Sequence, residues 1–156
     1  MQALFSYNFP IDRLIQRLKY QEHLPISQLL GSLLAEQATD TPDLWLPMPL
    51  HANRVKQRGF NQAVEIAREV ARSSRVPIRI ELAMRERDTP PQAGLKRDAR
   101  HRNMRGAFSC SGKVAGLHIG IIDDVMTTGS TLDALASTLK VAGARKVTCL
   151  VVARAL

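Results

Sequence analysis

Two adjacent acids, Asp123 and Asp124, close a short apolar run, and Thr127-Thr128-Gly129-Ser130-Thr131 follows after two intervening residues. Paired carboxylates at the end of a strand suit a sugar diol, whose hydroxyls donate, or a hydrated cation. A loop of small residues opening a helix presents backbone N–H groups and a positive dipole end, which suits a phosphate. Either half alone reads as an acidic loop start or as ordinary N-cap chemistry. Their abutment on a strand-to-helix turn describes a site for a phosphorylated sugar. The segment has neither the Gly-x-x-x-x-Gly-Lys-Ser/Thr spacing of a nucleoside-triphosphate loop nor the Gly-x-Gly-x-x-Gly of a dinucleotide fold.

The elements that must hold this segment are legible around it. Leu117–Ile122 is a continuous apolar run that predicts a strand buried on both faces. Leu132, Leu135, Ala136, Leu139 and Ala142 recur at helical spacing, with Gly143 as a stop and Ser130–Asp133 as a capping pair. Lys146–Ala153 predicts the next strand, so strand, helix and strand make one right-handed crossover of a parallel sheet. Ligands of such sheets sit beyond the carboxyl ends of the strands, where residues 123–131 fall.

Upstream, Ile11, Leu14, Ile15 and Leu18 share a helix face after Pro10, and Ile26, Leu29, Leu30, Leu33 and Leu34 share another after Pro25. Residues 1–40 are thus expected as an N-terminal helical segment. Leu44–Leu50 predicts a strand that Pro47 and Pro49 confine to an edge or cut short. Asn61 predicts an N-cap for a helix carrying Ala63, Ile66, Ala67, Val70 and Ala71, and Val76–Leu82 a further strand. Residues 85–106 hold Pro90-Pro91, Gly94 and Gly106 among dense charge, which predicts a long functional or flexible loop.

With 156 residues, 45% of them hydrophobic, the chain is expected to form one domain. No apolar stretch reaches membrane-spanning length. Cys110 and Cys149 stand far apart without ligand-like spacing, which argues against zinc or a disulfide framework and for a reducing, cytoplasmic location. The net charge is +8, much of it between Arg85 and Arg105, where Lys96, Arg97, Arg100, Arg102 and Arg105 crowd together. Such a run is a solvated loop, a counter-charge for a multiply phosphorylated substrate, or a nucleic-acid contact. At 4% aromatic residues, base stacking would be thin.

Residues 119–131 resemble the phosphoribosyl-pyrophosphate (PRPP) signature of type I phosphoribosyltransferases: apolar residues, two acids, two apolar residues, then Thr-x-Gly-x-Thr. Pro47-Met48-Pro49-Leu50-His51, Arg58-Gly59-Phe60-Asn61-Gln62, the spaced set Arg85, Arg87, Thr89, Gln92, Leu95, Arg100, Asn103, Ala107 and Phe108, and the terminal Ala153-Arg154 resemble the ComF/GntX group of that superfamily, associated with DNA-uptake competence and gluconate use. The resemblance runs from about Tyr7 to Leu156 and covers the transferase portion, without the cysteine-rich zinc module that opens many relatives.

The resemblance implies a single α/β domain over residues 1–156, with a mostly parallel sheet of about five strands flanked by helices and a flexible hood loop. It implies PRPP as donor with Mg²⁺. Asp123 and Asp124 are the expected catalytic acids, meeting the ribose hydroxyls or holding Mg²⁺ through water. Val125, Met126, Thr127, Thr128, Gly129, Ser130 and Thr131 are expected to cradle the 5-phosphate. Leu50, His51 and Arg54 fall in the pyrophosphate loop, and Arg58, Arg87, Arg100 and Lys96 are further candidates for the diphosphate. Several purine-salvage relatives carry an acid where this chain has Thr127, so the acceptor stays unassigned, and Phe60 is either a stacking platform or a core anchor. The alternative to a transferase is a non-catalytic PRPP-binding protein or a competence adaptor for single-stranded DNA or a helicase. A homodimer is common in the superfamily.

Overall fold

A computed structural model describes residues 1–21, 24–88 and 106–155, the side chains of 20, 21 and 24 excepted. Its centre is a four-stranded sheet in the order β1–β6–β5–β2, with every pairing parallel: β1 (Gln2–Ser6), β2 (Leu44–Pro47), β5 (His118–Met126) and β6 (Lys146–Arg154). β3 (Ala83–Arg85) and β4 (Phe108–Cys110) form a separate antiparallel pair. The helices are α1 (Ile11–Gln21), α2 (Leu24–Gln37), α3 (Ala52–Arg58), α4 (Gln62–Ser74) and α5 (Ser130–Val141).

Both faces of the sheet are covered, as a parallel sheet requires. On one side, Ile119 and Ile121 of β5 pack with Leu132, Leu135 and Leu139 of α5. On the other, Ile122 packs with Ile15 and Leu18 of α1, Leu30 and Leu34 of α2, and Ile66, Ala67 and Val70 of α4. The alternation of Ile121 and Ile122 between these two cores follows the two-residue period of a strand. Trp45 lies across Gly120, where an added Cβ would stand 2.2 Å from the indole Cζ3. Glycine is therefore required in mid-strand by a close approach of aromatic carbon. The indole Nε1 donates to Ser74 Oγ at 2.9 Å, which ties β2 to the end of α4.

Several expectations are corrected. The helical segment expected over 1–40 begins with strand β1, whose five residues on a sheet edge are too few for a periodic signal. The strand expected over Val76–Leu82 contracts to one parallel bridge, Ile78 to Trp45, held by Trp45 N–H to Pro77 O at 2.8 Å and Arg79 N–H to Trp45 O at 2.9 Å. Among the described residues no full fifth strand forms there, and the sheet has four strands. β2 stops at Pro47, as the prolines require, although Met48 N–H still reaches Ile122 O at 2.8 Å. The strand expected to end at Ile122 continues through both acids to Met126. Residues 89–105, which carry most of the expected hood loop, lie outside the described residues.

Candidate functional site

The last turn of pleat in β5 carries the acids. Asp123 Oδ1 accepts from Asp124 N–H at 2.9 Å, and Asp124 Oδ1 accepts from Val125 N–H at 2.7 Å. Each carboxylate is thus fixed by the backbone of the residue after it. Lys19, on α1, brings its Nζ to 2.8 Å from Asp124 Oδ2. Burial acts against the Lys19 charge, but Asp124 outweighs it, helped by Asp123 and Tyr7, and holds the ammonium above its usual pKa. Burial pushes the Asp123 carboxyl well above the ordinary aspartate value, and repulsion from Asp124 adds to this, with Lys19 opposing. One of two neighbouring acids is thereby biased toward its neutral form.

The loop after the acids turns on Gly129, whose φ of 81° lies in the left-handed region where glycine is unstrained. Gly129 is the N-cap of α5, and no side chain caps the helix. The Ser130–Asp133 capping pair does not form, because Ser130 Oγ turns to Thr128 Oγ1 at 2.9 Å instead. The first amides of α5 are left for a ligand. A cavity of ≈ 40 Å³ lies here, lined by Asp123, Val125, Met126 and residues 127–132. By occupied volume it holds about three waters, the scale of one phosphate group.

A larger cavity, ≈ 230 Å³, opens beside it. Asp123, Asp124, Val125, Thr127 and Thr131 form one wall, and Lys19 enters from α1. Met48, Leu50, Arg54, Arg58, Asn61, Gln62 and Ala63 line the opposite wall, and Arg85 reaches in from β3. Burial draws the Arg85 guanidinium below its usual pKa, with Arg54 adding repulsion, while Asp123 and Asp88 oppose both.

Helix α3 builds that opposite wall. His51 is its N-cap, its ring accepting from Asn53 N–H at 3.3 Å, and Gly59 closes it with φ 81° and an N–H bond to Val55 O. Seven residues are too few for periodicity to reveal, so the stretch Leu50–Arg54 expected as the pyrophosphate loop is a short loop running into this helix. Its first turn converges on Asp88: Asn53 Nδ2 donates to Oδ2 at 3.3 Å, Arg54 Nε to Oδ1 at 3.4 Å, and His51 Nδ1 stands 3.7 Å from Oδ2. Burial works against the Asp88 charge, but Asn53, Arg54 and His51 win and hold its carboxyl below the usual value. Asn61 then caps α4 through Ala63 N–H at 3.0 Å and donates to Met48 O at 3.0 Å, fastening this helix start to the exit of β2.

The fold brings together Asp123, Asp124, Val125, Thr127, Thr131, Leu50, Arg54 and Arg58 around the larger cavity, and Met126, Thr128, Gly129 and Ser130 around the smaller. His51 lines neither and serves α3 and Asp88. Arg87 is exposed and lines neither. Lys96 and Arg100 lie outside the described residues. Phe60 is half-buried against the α1/α2/α4 core and also lines a separate cavity of ≈ 500 Å³, so both of its readings stay open. Lys19, Gln62 and Arg85 are additions that roles read from sequence missed. Lys19 falls on an amphipathic helix where a lysine beside an apolar face looks like solvated surface. No cluster of three or more potential metal-ligating side chains occurs among the described residues.

Comparison with known proteins gives the family. The phosphoribosyl transferase domain family matches residues 55–156. The chain is 31% identical to competence protein F of Haemophilus influenzae, over 99% of its own length and 72% of the relative's. It is 34% identical to the DNA utilization protein YhgH of Escherichia coli (strain K12), over 91% of its length and 66% of that protein's. The chain thus spans about two thirds of the length of these relatives. Among solved structures it resembles the glutamine PRPP amidotransferase of B. subtilis, with a TM-score of 0.57 at 20% identity, covering 80% of this chain and 25% of that one. It also resembles Leishmania donovani UMP synthase, with a TM-score of 0.52 at 20% identity, over 90% of this chain and 24% of that one. With the matched domain covering most of its length, the paired acids at the end of β5 and the uncapped loop into α5, the chain belongs to the phosphoribosyltransferase domain family, in its ComF group.

Proposed function

We propose that this chain binds PRPP and transfers its phosphoribosyl group to an acceptor. One observation carries the reading: Asp123, Val125, Thr127 and Thr131 line both cavities, so the acid pair and the uncapped start of α5 adjoin. A ribose 5-phosphate has the same layout, with a diol at one end and a dianion at the other. The amides of residues 127–131 would take the 5-phosphate, with Thr127, Thr128 and Thr131 hydroxyls beside them. Asp123 and Asp124 would accept from the ribose hydroxyls. The cationic wall of Arg54, Arg58 and Arg85 would face the diphosphate as the C1–O bond breaks and charge develops on the leaving group.

The donor set fits a magnesium ion that arrives with the substrate. Two carboxylates, one already paired with Lys19, make a poor cage on their own, and Mg²⁺ is commonly held by one or two carboxylates, several waters and substrate phosphates. When bound, the ion would neutralise diphosphate charge; Asp123 and Asp124 would hold its waters in place.

The supporting test is thermal protection by PRPP, with and without Mg²⁺, followed by pyrophosphate release across a panel of nucleobases. Protection without turnover on any acceptor turns the reading into a non-catalytic PRPP-binding protein. The absence of an acid at Thr127 favours attention to that outcome, since a threonine cannot serve as general base near neutral pH. The names of the relatives, DNA utilization and competence proteins, and the +8 charge support a second reading, an adaptor on single-stranded DNA or a helicase. DNA affinity with a steep salt slope, lost on neutralising Lys96, Arg97 and Arg100, would establish it. Free cysteines at 110 and 149, and no helix among the described residues long and apolar enough to cross a membrane, support a cytoplasmic setting; a homodimer is part of the same proposal.

A further inference from the structure

Gln62 is the first residue of α4, is 3% exposed, and lines the larger cavity. Its Oε1 accepts from Arg58 Nη1 at 3.4 Å. That contact fixes which end of the carboxamide is which, because a guanidinium only donates and must meet the oxygen. The Nε2 amide is therefore the outward donor, and it is buried without a hydrogen-bond partner among the described residues. A buried donor left unpaired costs roughly 1–3 kcal/mol, and side chains that carry such a cost usually answer to a ligand.

The surroundings say which ligand. The acceptors closest in kind, the carboxylates of Asp123 and Asp124, are already engaged by backbone amides and Lys19. Gln62 shares its wall with Arg54, Arg58 and Arg85, all cationic. It also stands at the positive end of a helix of 13 residues. A neutral N–H₂ in this company is matched by a negatively charged oxygen. The sugar hydroxyls belong to the acid wall and the 5-phosphate to the α5 amides, which leaves the diphosphate.

We infer that Gln62 is a diphosphate-binding residue, its Nε2 donating to a diphosphate oxygen while Arg58 holds the carboxamide in the donating orientation. This rests on the PRPP reading and assigns it a residue on α4. The arrangement selects for a ligand with two linked phosphates, since a monophosphate seated at α5 leaves Nε2 still unpaired.

The test uses Gln62→Met, which keeps the side-chain length and removes the orphan donor, and Gln62→Glu, which keeps the acceptor for Arg58 and replaces the donor with charge. The probes are inorganic pyrophosphate and ribose 5-phosphate, titrated separately by calorimetry. Gln62→Met should melt close to the parent's temperature without ligand, because the unpaired donor and the long 3.4 Å contact to Arg58 are lost together. Its pyrophosphate affinity should fall about ten-fold, the size of one hydrogen bond to a charged group. Its ribose 5-phosphate affinity should stay within about two-fold of the parent, a change well below one hydrogen bond. Gln62→Glu should lose more pyrophosphate affinity than Gln62→Met. An unchanged pyrophosphate affinity in both variants, or an equal loss for both probes, overturns the inference. A parent chain that binds ribose 5-phosphate but not pyrophosphate overturns it too, whereas a parent that binds neither overturns the PRPP reading beneath it.

Discussion

The ammonium of Lys19 stands 2.8 Å from Asp124 Oδ2 and joins α1, near the start of the chain, to the end of the central strand. Both side chains are largely shielded, at 22% and 13% exposure, so removing one partner strands the other. Lys19→Met should lower stability by roughly 2 kcal/mol near neutral pH, less than for a fully buried pair. The sign follows from the raised Lys19 pKa: its stabilisation is present below the ordinary lysine value and would be lost only as pH rises above the folded one. On the acid side the deficit should shrink as the carboxyls protonate. Melting temperatures across a pH series check this, and a deficit that stays constant into acid would contradict it.

Asp123 should oppose stability while serving ligand binding. Because burial and Asp124 raise its carboxyl above 3.8, the folded state holds that proton more tightly, and stability falls as pH rises from about 4 through the folded value. Asp123→Asn, always neutral, should therefore melt a few degrees higher than the parent near pH 8, on the order of 1 kcal/mol, with the gain vanishing near pH 4. The same variant should bind PRPP at least about ten-fold more weakly through loss of an acceptor for the sugar hydroxyls. Calorimetry at both pH values tests the pair of effects; a variant both less stable and equally tight would refute them.

Two glycines should respond differently to alanine. At Gly129 an added Cβ meets nothing closer than 3.8 Å, so Gly129→Ala pays only for the left-handed φ of 81°, roughly 1–2 kcal/mol. Ribose 5-phosphate affinity should drop with it as the amides of 127–131 shift. At Gly120 the Cβ would collide with the indole of buried Trp45, and Gly120→Ala should cost about 3 kcal/mol or more. Denaturant titration separates the two; equal losses would contradict the packing described.

Asp88 occupies the donors of α3 in the ligand-free chain. It is 39% exposed, so Asp88→Asn should leave stability nearly unchanged. Removing its charge takes a competing anion away from Arg54 at the cavity wall and should raise pyrophosphate affinity a few-fold, more at low salt. Binding isotherms at two ionic strengths read this directly. Weaker binding in the variant would show instead that Asp88 positions Arg54 for the ligand.

The sequence determined the elements whose signals are local. The crossover of β5, α5 and β6, the start of α4 at Asn61 and the left-handed glycine at 129 each follow from neighbouring residues, since strand runs, caps and turns depend on the chain within a few positions. That is why the acid pair and the loop into α5 could be read from thirteen consecutive residues. Tertiary structure decided the rest of the site. Lys19 meets Asp124 across 105 positions, Gln62 acquires an unpaired amide only by burial against Arg58, and Asp88 gathers two donors, Asn53 and Arg54, from α3. It also decided the sheet's edges: β1 is recruited by pairing with β6, and the strand at Ile78 is held to a single bridge. Charge pairing, burial and edge pairing depend on what the fold sets side by side, and no local pattern encodes the neighbour.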